Sequence, residues 1–148
     1  MSFIKYEVHV DSDGSKKWFL NGKFHREDGP AIELANGSKS WWINGLLHNE
    51  NGPAIEWANG TKEYCINGKR HREDGPAVEY SDGYKAWYIK GERHREDGPA
   101  IEWTDGTKEW FINGEKLTEQ EFNNRTKIKE LTVTEIQALL GHKIKVIE

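Results

Sequence analysis

Residues 59–81, NGTKEYCINGKRHREDGPAVEYS, decide the fold, because the chain repeats this stretch at a fixed step of 23 residues. Asp13-Gly14, Asn36-Gly37, Asn59-Gly60, Asp82-Gly83 and Asp105-Gly106 recur without slippage. A second signal keeps the same step: Asn21-Gly22, Asn44-Gly45, Asn67-Gly68, Lys90-Gly91 and Asn113-Gly114. Between the two lie Trp18-Phe19-Leu20, Trp41-Trp42-Ile43, Tyr64-Cys65-Ile66, Trp87-Tyr88-Ile89 and Trp110-Phe111-Ile112. A third block starts at His25 (HREDGPAIEL), His48 (HNENGPAIEW), His71 (HREDGPAVEY) and His94 (HREDGPAIEW). Four units fill 13–104 and a half-unit covers 105–114. A period of this length is the mark of a repeat array, in which each unit buries its apolar face only against its neighbours.

Each unit reads as two short strands. Asx-Gly between aromatic and β-branched runs is the strongest short-range hairpin signal, since a type I′ turn needs positive φ at both central residues. With Asn59-Gly60 as a two-residue loop, Trp57 is expected to face Lys62 and Ile55 to face Tyr64. Alternation then puts the isoleucines with Trp41 and Trp87 on one face. Glu33, Glu56, Glu79 and Glu102 fall on the other, with Phe19, Trp42, Cys65, Tyr88 and Phe111. The lysine at 16, 39, 62, 85 and 108 is invariant, which a cation lying over a cross-strand ring would explain. The expected fold is mainly β, an antiparallel β-hairpin repeat meander, with a lead-in strand over 1–12 and the array over 13–115. The tail, 116–148, is expected to form a helix-helix-strand cap. Thr118 with Glu121 makes a capping box stapled by Leu117 and Phe122, Thr132 with Glu135 repeats it, Gly141 ends the second helix, and Lys143–Val146 alternates like a strand.

The unit W-x-x-N-G-x-x-H-R-E-D-G-P-A-I-E-x resembles the MORN-like β-hairpin arrays found in proteins of bacteriophages and large viruses, over about 13–114. The tail LTVTEIQALLGHKIKVIE is similar to a C-terminal segment that recurs in large tailed phages. The resemblance implies a hairpin array of viral origin that serves as a scaffold or interaction surface. It implies no reaction.

Composition bounds the function. The chain has 148 residues, 35% hydrophobic and 31% charged, with a mean hydropathy of -0.88. Seven Trp, five Tyr and five Phe nonetheless argue against disorder. A net charge of -4 and the glutamate row oppose nucleic-acid binding, despite lysines interleaved with rings. No apolar run is long enough to span a membrane, and the start carries no signal-peptide core. A cytoplasmic protein is expected, in the host cell if phage-encoded.

No cofactor or metal is expected. His25, His48, His71 and His94 recur two strands apart, roughly 9–10 Å, whereas zinc ligands sit about 2 Å from one ion. His, Glu and Asp in strict register read as repeat grammar rather than as an active site, which is built once from unlike residues. The single cysteine, Cys65, occupies the slot of Phe19, Trp42, Tyr88 and Phe111, so it reads as a core residue and not a nucleophile. A non-enzymatic binding role follows. The candidate surface is where unit two departs from the pattern: Leu46 stands in the slot of Lys23, Lys69, Glu92 and Glu115, and Leu47 in that of Phe24, Arg70, Arg93 and Lys116, beside Trp41, Trp42 and Trp57. A secondary candidate is the charged edge of Arg26, Arg72 and Arg95 with Glu27, Glu73 and Glu96. The expected partner is a host or phage protein, bound by an inhibitor or adaptor. Sequestration of a nucleotide-like small molecule and self-assembly into a homo-oligomer through sheet edges are the alternatives.

Overall fold

The computed structural model describes residues 5–129 and 133–141. Glu7–Val10, Lys16–Leu20, Ile32–Glu33, Lys39–Ser40, Ile55–Glu56 and Lys62–Glu63 lie side by side. Val78–Glu79, Lys85–Ala86, Ile101–Glu102, Lys108–Ile112 and Glu115–Leu117 continue the same 12-stranded antiparallel sheet, which Lys23–Phe24 completes by pairing with Lys16–Leu20. A second row of hairpins runs alongside: Trp42–Ile43 with Leu46–Leu47, Cys65–Ile66 with Lys69–Arg70, and Tyr88–Ile89 with Glu92–Arg93. Each unit thus adds two strands to the sheet and one hairpin to the second row, as a β-hairpin repeat meander should.

The two Asx-Gly signals make different turns. At the second, both residues are left-handed (Asn21 φ 51°, Gly22 φ 72°), and Leu20 pairs with Lys23 around a two-residue loop. At the first, only the glycine has positive φ (Gly60, 90°). Trp57 N–H donates to the Thr61 carbonyl and Gly60 N–H to the Trp57 carbonyl, which gives a three-residue loop with glycine in the left-handed position. Its Asn or Asp serves through its side chain: the N–H groups of Ser15, Ser38, Thr61, Tyr84 and Thr107 donate to Asp13, Asn36, Asn59, Asp82 and Asp105. Those bonds also hold the Asp13 and Asp105 carboxyls below the usual range.

The longer loop corrects the expected register by one residue. Glu56 pairs with Lys62 and Ile55 with Glu63, not Trp57 with Lys62. A one-residue slip exchanges the faces. The isoleucine row shares its face with Trp42, and the glutamate row shares the other with Trp18, Tyr64 and Trp87. The invariant lysines do not lie over rings. Lys16, Glu33, Lys39, Glu56, Lys62, Glu79, Lys85, Glu102 and Lys108 are successive cross-strand partners, a continuous ladder of alternating charge. Opposite charges placed this way contribute about 0.2–1 kcal/mol per pair.

Junctions between units are made largely by backbone. Gly45, Gly68, Gly91 and Gly114 donate to carbonyls of the preceding hairpin, at Phe24, Leu47, Arg70 and Arg93. His25, His48, His71 and His94 accept at Nδ1 from the N–H of Asn44, Asn67, Lys90 and Asn113 in the next unit, at 3.0–3.2 Å. The recurrent histidine thus stitches neighbouring units together.

The core is thin. Ala31, Ala54, Ala77 and Ala100 form a row at 0% exposure, and the largest fully buried side chains are Ile101 and Val78. Those two cluster with Ala86, Ala100 and Phe111 under Tyr84, Trp87 and Tyr88, in units three to five.

After the last strand comes α1 (Glu119–Lys129), which docks on Lys108–Ile112 and Glu115–Leu117. Its capping box is formed: Thr118 N–H donates to Glu121 Oε2 at 2.8 Å and Glu121 N–H to Thr118 Oγ1 at 3.2 Å. Leu117 and Phe122 are buried. α2 (Val133–Leu140) ends at Gly141, whose φ is 69°. The expected strand 143–146, and the cap residue Thr132, lie outside the described residues.

Candidate interaction surface

One face of the array carries the HREDGP loops, and the structure turns their arginines inward. Arg26, Arg72 and Arg95 lie over Trp18, Tyr64 and Trp87 at 4.0–4.1 Å from the ring centroids. Each donates Nε to its own loop's aspartate (Asp28, Asp74, Asp97). Nη1 donates to a proline carbonyl (Pro30, Pro76, Pro99) and to Glu33, Glu79 or Glu102. The guanidinium is a clamp that ties loop, ring and ladder within one unit. Of the predicted charged edge, the arginines are thus committed to the fold. Glu27, Glu73 and Glu96 are exposed, their Oε1 atoms 3.6–3.8 Å from Nε2 of His25, His71 and His94. The wide hollows between successive loops, about 890 and 610 Å3, repeat with the units, the first walled by the Arg72 and Arg95 clamps and the second by Arg72 and the Asn49 loop.

The clamp also explains the loop glycine, whose φ is not positive. A Cβ on Gly75 would meet the Arg72 guanidinium at 3.0–3.2 Å, whereas on Gly52 it would meet Asn49 at 3.6 Å. In unit two, Asn49 replaces the arginine and keeps only the short reach to the Pro53 carbonyl, at 2.8 Å. Gly75→Ala is therefore expected to lower the melting temperature by several degrees, about 1 kcal/mol, and Gly52→Ala to leave it unchanged. Equal effects in thermal melts would contradict the clamp.

The other face holds the candidate patch, and the structure divides it. Trp42 and Trp57 come together with Ile32, Leu34 and Ile55 around an apolar groove of about 280 Å3. Leu47 is opposite Trp42 in the hairpin. Trp41 occupies the slot of Tyr64 and Trp87 on the clamp face, without an arginine over it. Leu46 pairs with Ile43 and leans on Gly68 of the next unit, where a Cβ would meet it at 3.3 Å. Trp42 is fixed by its Nε1 donating to Ser40 Oγ at 2.7 Å. A file of rings leads up to it: His9 to Phe19 at 4.8 Å, Phe19 to Phe24 at 4.6 Å, and Phe24 to Trp42 at 5.6 Å. Farther along, arginines replace rings in the same file, with Arg70 over Tyr88 and Arg93 over Phe111. Trp57 remains 44% exposed. Sequence reasoning missed Ile32, Leu34, Ser38, Ser40 and Ile55 as groove residues, because the slipped register had placed the isoleucines on the face opposite Trp42.

Cys65 is 3% exposed, and burial, with Glu63 near by, pushes its thiol up to about 11. A thiol that neutral is a poor nucleophile. Iodoacetamide at pH 8 is expected to leave native Cys65 unmodified over hours and to alkylate it at once in denaturant, read by intact mass. Rapid native labelling would restore the reactive reading. Among the described residues no group of three or more His, Cys, Asp or Glu is placed to hold a metal ion, and no helix is long and apolar enough to cross a membrane. No protein-family model matches the chain, and a search of curated proteins finds no match.

Proposed function

We propose that this chain is a non-catalytic repeat protein that acts by binding another protein through the groove face of units one and two. The observation that carries the reading is the half-exposed Trp57 beside the anchored Trp42, at the mouth of an apolar groove on an otherwise charged array. A hollow of about 280 Å3 is small for enclosing a nucleotide-like ligand, whose pockets run about 300–1,000 Å3, but suits a side chain presented by a protein. The likeness of the unit to phage and large-virus arrays supports looking for the partner among bacterial host and phage proteins, with this chain as an inhibitor or adaptor.

The test is affinity capture from bacterial lysate with wild type, Trp57→Ala and Leu46→Lys. A stoichiometric protein retained by wild type and Leu46→Lys but lost with Trp57→Ala is the expected result. Capture indifferent to Trp57→Ala would overturn the assignment of the face. A defined multimer without a foreign partner would move the function to self-assembly, for which the edge strand Glu7–Val10, with Val8 and Val10 exposed, is available.

A further inference from the structure

The array contains a second copy of the groove, two units on, and in that copy the space is filled. Shifted by 46 positions, Ile32 becomes Val78, Ile55 becomes Ile101 and Trp57 becomes Trp103. Leu34 becomes Tyr80, Trp42 becomes Tyr88 and Ser40 becomes Ala86. The decisive change is Ser38, which becomes Tyr84. The Tyr84 ring sits between Tyr80 and Trp103, at centroid distances of 5.0 and 4.8 Å, and packs on the cluster of Val78, Ala86 and Ile101. Beneath it Val78 and Ile101 are 2% and 0% exposed. Ile32 and Ile55, their counterparts, are only half-buried beside the open groove.

Other units do not offer the same site. The slot of Ser40 and Ala86 is Lys17, Glu63 or Glu109 elsewhere. Lys17 and Lys39 also border the groove of units one and two, but the Lys17 ammonium is engaged by Asp11, Nζ donating to Oδ2 at 2.6 Å. A carboxylate on the floor, by contrast, disfavours an apolar occupant. The hollow between Trp57 and Tyr80 accordingly has Glu63 in its lining.

We infer that the groove of units one and two takes an aromatic side chain of the partner protein, seated as Tyr84 is seated in unit four. This rests on the protein-binding reading above and names the chemistry that the partner presents. Trp57 supplies a ring for tilted packing, as Trp103 does for Tyr84, Leu34 stands where Tyr80 closes the other side, Trp42 adds a second ring to the wall, and the isoleucines supply the floor. Rings packed in this way gain attraction beyond area burial, enough for about a 3- to 10-fold preference over a saturated ring of like size.

The test uses 4-methylphenol, the tyrosine side chain without its backbone, titrated into 15N-labelled full-length protein. The indole N–H signals of Trp42 and Trp57 are expected to shift saturably, with cyclohexanol binding about 3- to 10-fold more weakly. Ser38→Tyr places the lid in the same chain and should abolish the shifts. The reciprocal variant, Tyr84→Ser, should gain a second site, seen as a shift of the Trp103 indole and as a larger rise in melting temperature with 4-methylphenol than wild type shows. No shift in wild type, shifts that survive in Ser38→Tyr, or equal binding of cyclohexanol would each overturn the inference. Partner capture separates the two ideas. A partner lost with Trp57→Ala from a protein that takes no 4-methylphenol leaves the binding function standing and removes the ring. Saturable 4-methylphenol binding with no captured protein leaves the ring site and removes the partner. A wild-type dimer that Ser38→Tyr turns into a monomer overturns the foreign partner in favour of a second copy.

Discussion

Ile101→Ala is expected to cost about 3 kcal/mol of stability, and Ile32→Ala, the same slot three units earlier, about 1 kcal/mol. Ile101 has no exposure and is enclosed by Val78, Ala86, Ala100 and Phe111, with Tyr84 packed against the cluster. Removing three carbons there leaves a cavity that a sheet pinned by backbone bonds on both sides cannot collapse. Ile32 already borders the open groove, so its truncation widens a space that solvent enters. Domains of this size are stable by about 5–15 kcal/mol in all, so the first loss is a large share. Urea melts followed by tryptophan fluorescence would read both. Equal losses at the two positions would mean that the core is spread evenly along the array rather than concentrated in its last units.

Arg95→Ala is expected to be nearly as damaging, about 2 kcal/mol, and Arg95→Lys to recover little of it. The guanidinium stacks on Trp87 at 4.0 Å and bonds Asp97, the Pro99 carbonyl and Glu102. Its side chain is only 21% exposed, so truncation uncovers the Trp87 ring and leaves the Pro99 carbonyl and the part-buried Glu102 carboxylate without their donor, while the exposed Asp97 is solvated. A lysine supplies the charge without the planar fork that meets three acceptors and a ring at once. The reverse change can be made in unit two. Asn49→Arg with Asn51→Asp restores the missing pieces beside Trp41, Pro53 and Glu56, and should add up to about 1 kcal/mol. If the double variant is neutral and Arg95→Ala costs only a few tenths, the loops are surface decoration after all.

The period, the strands, the second-row turns and the first capping box were legible in the sequence, because each is local chemistry repeated in register. The register of the main sheet was not. Asn59-Gly60 and Asn67-Gly68 are the same dipeptide, yet one bends with a single left-handed residue and the other with two. A signal was present: aspartate occurs at 13, 82 and 105, where the side chain accepts an N–H, and never at 21, 44, 67, 90 or 113, where the backbone itself is left-handed. That distinction would have given the longer loop, the lysine–glutamate ladder and the correct faces. The site was half legible for the same reason. Trp42 and Trp57 stood out by type, but whether Trp41 or Trp42 belongs with Trp57 depends on the register. The empty ring position at Ser38 becomes visible only when unit four is laid over unit two, since the conspicuous departure in that comparison is a tyrosine gained rather than a leucine.

The direction in which the sheet grows has a mechanical consequence. Hydrogen bonds in an antiparallel sheet run perpendicular to the strands, so here they run along the length of the array, from Glu7–Val10 at one edge to Glu115–Leu117 at the other. Tension applied between these ends loads one strand pair at a time instead of sharing the load across many. The strands from Ile32–Glu33 to Ile101–Glu102 are each two residues long, so every step of the peel between them breaks few bonds. The array resists shear across its strands but opens like a zip along its axis, one 23-residue tooth after another.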